Sequence, residues 1–323
     1  MTVEQNTPEK LVIQVLAGGI SHERDISLKS ARRVADALTE QGATVIIREP
    51  DAHLLEYIYT DRPDVIWPVL HGASGEDGAL REVLALGGIP FIGAAADAAR
   101  LAWDKTTAKT LVSRVGIQTP PSVTLPKSAF KELSADAVLD LVSRSLVLPL
   151  IVKPARSGSA QGVTVIRKFE DLSHAMIDAY VYCDVAIIER FIEGVELAVS
   201  VIDLGAGAIA LPAVEIEPVA GDFGFEERYT AGETNYFVPA RLNAAMSEAA
   251  AKAAIAVHEL LGLRHMSRID MIVDDNQSIW FLEANVQPGL TDTSLLPLAI
   301  LATKQSLGET YYSIAVAAHQ GRG

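Results

Sequence analysis

Residues 267–289, SRIDMIVDDNQSIWFLEANVQPG, carry the reading that decides the fold. Two short apolar runs, 267–273 and 278–284, flank the polar turn Asp274-Asp275-Asn276-Gln277 and predict a β-hairpin. In such a hairpin Asp270 and Glu283 fall nearly opposite each other, and Glu283 and Asn285, two apart, point to one side of their strand. Two carboxylates and an amide oxygen converging from neighbouring strands suit Mg²⁺, which keeps some waters and completes its shell with nucleotide phosphates. Without a cation, an acidic pair among Ile, Met, Val, Phe and Leu would repel itself. Read alone, the stretch also fits a solvated hairpin with its acids pointing outward.

The rest of the chain narrows that choice. Its 323 residues exceed one small core and suit two or three packed subdomains, and 49% hydrophobic residues supply the interior. No apolar run reaches the length of a membrane span, and the start, MTVEQNTPEK, lacks a secretory pattern. The single cysteine, Cys183, can make neither an intrachain disulfide nor a zinc cluster, so a cytoplasmic protein is expected. A net charge of −14 argues against nucleic acid as the main partner. A nucleotide can still bind through a few placed cations.

Residues 11–93 alternate apolar strands (11–16, 43–47, 65–70, 90–92) with a helix at 27–40, the pattern of a βαβ-type parallel sheet. A connecting helix is expected over 99–115, closed by Gly116 and the rigid Thr119-Pro120-Pro121. A β-rich middle follows, with strands at 149–153, 163–167 and 185–191 and a helix near 169–180. Long strands at 196–204 and 209–216, a polar loop at 221–235 and a helix at 243–261 lead into the hairpin.

Several segments carry candidate chemistry. The 149–153 strand delivers Lys153 into the small-residue turn Ala155-Arg156-Ser157-Gly158-Ser159, where backbone N–H groups and an ammonium can cradle phosphate. An ordinary hairpin with a flexible tip reads the same way. Lys105, at a helix start, is a second phosphate cation or a solvated lysine. The strand with Glu189 has backbone to offer an adenine edge, and Glu196 is placed for ribose hydroxyls; exposed acids on an amphipathic strand are the plainer alternative. Loops at 18–24 and 71–78 lie at carboxyl ends of strands, where open α/β sheets bind ligands. Backbone nests there suit a small carboxylate and Glu23 suits an ammonium, whereas His71, taken singly, reads as structural before catalytic. Arg268 shares a strand face with Asp270 and is not expected to point at a metal cage unless anionic oxygens lie between them, as in an oxyanion or phosphate clamp.

Seven segments in order, GGxSxERxxS (18–27), HGxxGEDG (71–78), VKPxxxGS (152–159), the Glu-rich hinge (189–196), RYTxGExxYxxPA (228–240), RIDxxxD (268–274) and ExNxxPGxTxxSxxP (283–297), resemble the D-alanine–D-alanine ligase family of the ATP-grasp superfamily. The resemblance spans about residues 11–300. It implies an α/β and α+β chain: an N-terminal parallel-sheet unit (1–97) followed by a two-subdomain ATP-grasp fold (98–188 and 189–323). It implies ATP and D-alanine as substrates, with Mg²⁺, or Mn²⁺ in its place, on Asp270, Glu283 and Asn285. Lys105 and Lys153 would contact phosphates, and Glu189, Phe191, Ile192 and Glu196 would hold adenosine. Glu23 would bind the ammonium of the first D-alanine, with His71 beside it. Ser294 and the backbone near Leu295 would take the carboxylate of the second. Arg268 and the Gly289 backbone would form the oxyanion site. Ser159 and Tyr229 would sit on mobile loops that meet each other and Glu23, with 221–235 as the lid. A homodimer is compatible with the family.

Some residues depart from the family pattern. Arg228, among the nucleotide contacts, stands where a lysine is usual and keeps the charge with a different donor geometry. Arg81-Glu82 replaces Gln-Gly, a change expected at the surface. Val286-Gln287 and Asp292-Thr293 replace small polar residues beside the second-substrate pocket. Two rivals therefore stay open: the same chemistry with D-lactate, D-serine or another amino acid as nucleophile, and an ATP-binding protein without turnover.

Overall fold

The computed structural model describes residues 10–219 and 234–322, and among these the strands form three sheets. The first is parallel, in the order β2-β1-β3, from β1 (Val12–Leu16), β2 (Thr44–Arg48) and β3 (Val65–Pro68). Helices α1 (Arg24–Glu40) and α2 (Leu54–Asp61) connect them, and the short α3 (Ala73–Glu76) and α4 (Ala79–Leu86) follow β3. The strand expected at 90–92 is reduced to a single parallel bridge between Ile66 and Phe91.

The helix expected over 99–115 is two helices, α5 (Ala96–Trp103) and α6 (Lys105–Arg114). Asp104 breaks them apart. Its backbone is extended (φ −86°, ψ 98°) and its carboxylate accepts the Thr107 N–H at 2.9 Å, which supplies α6 with an N-cap. The break puts Lys105 in the first turn of α6, and its own N–H leaves the helix for the Ala155 carbonyl at 3.0 Å.

The second sheet is antiparallel, in the order β4-β7-β5-β6: β4 (Ser122–Pro126), β5 (Leu150–Pro154), β6 (Thr164–Ile166) and β7 (Val185–Arg190). Two helices that the sequence reading missed, α7 (Lys127–Leu133) and α8 (Ala135–Ser145), precede β5. The first is short and buries no side chain, whereas the second carries Ala135, Val138, Leu139 and Val142 at helical spacing, a stripe that packs on the core of this sheet. A 3₁₀ turn at Phe169–Asp171 leads into α9 (Leu172–Tyr182), which covers β5.

The third sheet runs β11-β10-β8-β12-β13, with β9 also on β8. Its strands are β8 (Val195–Asp203), β9 (Ala208–Ala210), β10 (Val214–Pro218), β11 (Thr234–Phe237), β12 (His265–Val273) and β13 (Ile279–Asn285). The single strand expected at 209–216 is interrupted at Leu211-Pro212-Ala213, because Pro212 has no N–H for a ladder. Helix α10 (Ala244–Leu260) lies between β11 and β12 in the chain, and α11 (Leu295–Ala302) and α12 (Leu307–His319) close it.

One core joins β1 and β3 to α1 and α12 through Ile13, Val15, Leu38, Trp67, Tyr311 and Ile314. Trp67 and Tyr311 meet edge-on at 5.3 Å, so the last helix completes the first sheet. A second core packs α5, α6 and α10 against β8, β12 and β13 through Val112, Val199, Val257, Ile269 and Phe281. Each such side chain contributes about 1.5–3 kcal/mol on burial, which makes β12 and β13 a stiff platform for the residues of their far face.

Candidate active site

On that platform Asp270 pairs with Glu283 and Arg268 with Asn285. A bulge between Asp270 and Met271 shifts the register, so that Met271 faces Phe281 and Leu282 is skipped. Bulges re-aim side chains. Leu282 and Glu283, though consecutive, both reach one cavity.

Two cavities meet at this point. The larger, about 340 Å³, is lined by Lys153, Glu189, Phe191, Ile192, Glu196 and Asp270, with apolar walls that include Ile151, Val165, Ile216 and Ile272. The smaller, about 80 Å³, is lined by Glu23, His71, Ser159, Arg268, Asn285, Gly289, Ser294 and Leu295. Lys105, Ser157 and Glu283 border both. Apart from the two that lie outside the described residues, every candidate site residue thus falls on one cavity or the other.

Charge organises the wall between them. Arg268 forks onto Asp270 with two hydrogen bonds of 2.7 Å, so the arginine points at the acid directly and not across an intervening anion as expected. Lys105 Nζ lies 3.1 Å from Glu283 Oε2 and donates to the Ser157 carbonyl at 2.6 Å. Asp270 opens on the larger cavity, Asn285 on the smaller and Glu283 on both. Among the described residues no three His, Cys, Asp or Glu side chains cluster for a metal. A divalent cation would therefore rest on two carboxylates, one amide and ligand oxygens, a hard donor set that fits Mg²⁺. Asn285 Oδ1 already accepts the Gln287 N–H at 2.8 Å, which fixes the amide's orientation.

On the wall of the larger cavity Glu189 accepts from Lys153 and, from behind that wall, from Lys109, each at 2.5 Å. Burial pushes the Glu189 carboxyl up, but the two ammonium groups outweigh it and hold it below the usual carboxylate range. Lys109 escaped the sequence reading, although its spacing of four from Lys105 puts both on one face of α6. Phe191 and Ile192 lie beyond the end of β7, which stops at Arg190, and the N–H groups of Arg190 and Phe191 donate to the Pro121 and Pro149 carbonyls. The proposed adenine edge is therefore the connection into β8 and not a strand edge.

In the smaller cavity Glu23, 5% exposed, stands at the N-cap of α1 and accepts a hydrogen bond from the Ser159 hydroxyl. Ser294 is the N-cap of α11 and Leu295 its first residue, so a helix N-terminus faces this space. A Cβ on Gly289 would come within 2.7 Å of Ser294 Oγ, so a side chain here would displace that hydroxyl. Burial and the nearby Arg268 charge draw His71 down to about 4, leaving it neutral. Glu76, which the sequence reading passed over inside its own GEDG motif, is pushed up to about 8 by burial and by Glu23. Its Oε1 accepts the Gly72 N–H at 2.8 Å.

One expectation fails. Arg81 is not at the surface but fully buried, while its neighbour Glu82 does face solvent and pairs with Arg100 at 2.7 Å. Arg228 and Tyr229 lie outside the described residues, and of the 221–235 loop only Thr234 and Asn235 are described, at the start of β11. Among the described residues no helix is long and apolar enough to cross a membrane.

Two antiparallel sheets closing on a nucleotide-sized cleft, behind a parallel N-terminal sheet, define an ATP-grasp fold. Solved structures agree. The VanG D-Ala:D-Ser ligase of Enterococcus faecalis superposes with a TM-score of 0.82 at 27% identity, covering 96% of this chain and 100% of that one. The D-alanine–D-alanine ligase of Bacillus anthracis complexed with ATP gives 0.81 at 26% identity, covering 97% and 98%. In sequence, the D-alanine–D-alanine ligase of Bordetella petrii is 37% identical over 94% of this chain and 90% of its own length. That of Pelotomaculum thermopropionicum is 35% identical over 90% and 92%. The family described as "D-ala D-ala ligase C-terminus" matches residues 111–309. The chain belongs to the D-alanine–D-alanine ligase family.

Proposed function

We propose that the protein joins two D-alanine molecules to D-alanyl-D-alanine with ATP, through an acylphosphate, for peptidoglycan precursor synthesis. The observation that carries this reading is the shared wall: Lys105 and Glu283 border both a nucleotide-sized cavity and a small, ion-rich one. A carboxylate in the smaller space can meet a γ-phosphate from the larger only there.

In the first step a carboxylate oxygen of D-alanine bonds to the γ-phosphorus and the bond to the ADP oxygen breaks. Lys105 and Lys153 hold the phosphates, and positioning with charge neutralisation accounts for most of the rate. Mg²⁺, or Mn²⁺, held by Asp270, Glu283 and Asn285 supplies further charge neutralisation when bound. Residues 191–196 meet adenosine, while Glu189 secures Lys153. In the second step the amine of another D-alanine bonds to the acyl carbon, loses a proton, and phosphate leaves. Arg268 and the Gly289 N–H face the oxyanion, Glu23 the first ammonium, with neutral His71 beside it. Ser294 and the start of α11 receive the second carboxylate. The intermediate hydrolyses readily, so the contact of Ser159 with Glu23 serves to exclude water.

The division into three units, with the boundaries expected at 97 and 188 moved clear of α5 and β7, a cytoplasmic location and a homodimer are parts of the same proposal. Exposed Leu55, Tyr59 and Leu86 offer the second copy an apolar surface, which sedimentation checks. ADP release measured with D-alanine, D-serine, D-lactate and L-alanine tests the activity. D-alanine is expected to give the highest rate and D-Ala-D-Ala the product. A preference for D-serine or D-lactate replaces the second substrate, and no amino-acid-dependent ADP sinks the ligase reading.

A further inference from the structure

Arg81 has an unusual position for a cation. It is 0% exposed, and among the described residues its hydrogen bonds go to three carbonyls and one amide, with no carboxylate. Nε donates to Gly75 at 3.2 Å, Nη1 to Ile92 and Ala94 at 3.2 Å each, and Nη2 to Gln287 Oε1 at 3.3 Å. A Cβ on Gly93 would come within 2.6 Å of Nη1, so the chain leaves room for the guanidinium at a residue whose φ is +99°. Burying a cation on neutral acceptors is costly, and five donors in a rigid fork make arginine the side chain able to hold that many segments at once.

What the fork joins is informative. Gly75 lies in the segment that carries His71 and Glu76, and Gln287 lies between Asn285 and Gly289. Gln287 is itself 0% exposed, and its side-chain oxygen and backbone are engaged near the smaller cavity, while its side-chain NH₂ finds no partner among the described residues. Its side-chain oxygen takes Arg81, its N–H holds Asn285 Oδ1 at 2.8 Å, and its backbone hydrogen-bonds His71. Arg81 and Gln287 sit 206 positions apart in the chain and stand behind opposite sides of one site.

We propose that Arg81 and Gln287 are a coupled pair of positioning residues that sets the distance between the His71–Glu76 segment and the Asn285–Gly289 segment. The inference rests on the ligase reading above for its kinetic consequences and on geometry alone for its structural ones. A displacement of about 1 Å in such a site can cost about a hundredfold in rate. The effect falls on the smaller cavity. The nucleotide side is held separately by Lys109, Glu189 and Lys153.

The test uses Gln287→Met, which is close in shape and lacks the acceptor, and Gln287→Glu, which keeps it. The Met variant is expected to raise the KM for D-alanine about tenfold while ATP affinity, measured by calorimetry without amino acid, stays within twofold. The Glu variant is expected to restore the KM to within threefold. Amide hydrogen exchange on the same proteins is expected to accelerate in 71–78 and 285–289 of the Met variant and to stay unchanged in 151–153. Unchanged exchange in either of the first two segments overturns the pair, whichever amino acid the enzyme joins. A KM that does not move, or an ATP affinity that weakens equally, overturns it as well. If the unmutated protein releases no ADP with D-alanine, the ligase reading fails and the exchange measurement alone decides the pair.

Discussion

The two cavities that share Glu283 solve the problem of buried charge in opposite ways. On the nucleotide side Glu189 is closed off by two lysines at 2.5 Å, and the wall is apolar apart from the ions at its ends, among them Glu196, Asp270 and Glu283. On the other side acids are crowded, and one of them keeps its proton at neutral pH. Glu23 and Glu76 confront each other, Glu76 is pushed up to about 8, and Lys105 and Arg268 are shared among acids at the border. A balanced, partly apolar cleft suits a flat base whose phosphates lie at one end. An unbalanced one suits a zwitterion, whose ammonium and carboxylate complete the set. The contrast teaches that one wall can serve a nucleotide and an amino acid because on one side the protein pairs its own ions and on the other the ligand's ions complete the set.

Removing the shared carboxylate tests the contrast most severely. Glu283→Ala is expected to lower ADP formation by at least about a thousandfold with a much smaller effect on the thermal midpoint, because Lys105 loses its ion pair at 3.1 Å but keeps the Ser157 carbonyl. Substantial turnover at saturating Mg²⁺ would show that the wall is misread.

Lys109→Met addresses the closed set. Glu189 would keep one cation where it had two, and breaking a buried pair costs about 3–5 kcal/mol. Urea titration reads that loss, and ATP binding is expected to weaken about a hundredfold as Lys153 shifts. Because the Glu189 carboxyl is held low in the folded state, its contribution is present above about pH 4.5 and fades as pH falls through the folded value. D-alanine KM moving more than ATP affinity would reverse the assignment of the two cavities.

Ser159→Ala probes the open set. Losing a hydrogen bond to the Glu23 carboxylate is worth about 1.5 kcal/mol, or roughly tenfold in the KM for D-alanine. ATP affinity is expected to hold within twofold. Equal losses on both sides would make the 155–162 loop a general brace.

Much of this arrangement is legible in the sequence because the hairpin at 267–289 obeys local rules. Alternation gives its strands, a polar turn gives its register, and register brings Asp270 to Glu283. What escapes is what tertiary packing decides. The break at Asp104 looks like continuous helix until Thr107 and Arg156 are seen to share its carboxylate. Helix α7 buries no side chain and leaves little signal, whereas the apolar stripe Ala135, Val138, Leu139 and Val142 of α8 is legible and the sequence reading passed over it. Arg81 reads as surface because arginine seldom goes inside. Its acceptors, Gly75, Ile92, Ala94 and Gln287, converge only after folding. The skipped Leu282 is of the same kind, since a bulge costs one residue of register and leaves composition untouched.

The smallest expected effect isolates the crowded acid itself. The Glu76 carboxyl titrates at about 8 in the folded protein, against roughly 4.5 when unfolded. Between those values the folded state binds the extra proton, so this group's stabilisation is complete below about pH 4.5 and is lost as pH rises through 8. From pH 7 to 9 the loss is about 1 kcal/mol of unfolding free energy. The acid arm runs the other way: His71, His258 and His265 are each drawn down to about 4, chiefly by burial, so they lower stability as pH falls from about 6.5. The window from 7 to 9 therefore reports Glu76 apart from the histidines. Glu76→Gln keeps an acceptor for the Gly72 N–H and removes the titration. Chemical denaturation at the two pH values is expected to show the drop in the unmutated protein and its disappearance in the variant. The same alkaline drop in both proteins would place the crowded acid elsewhere, and the contrast between the cavities would then rest on Glu23 and Glu283 alone.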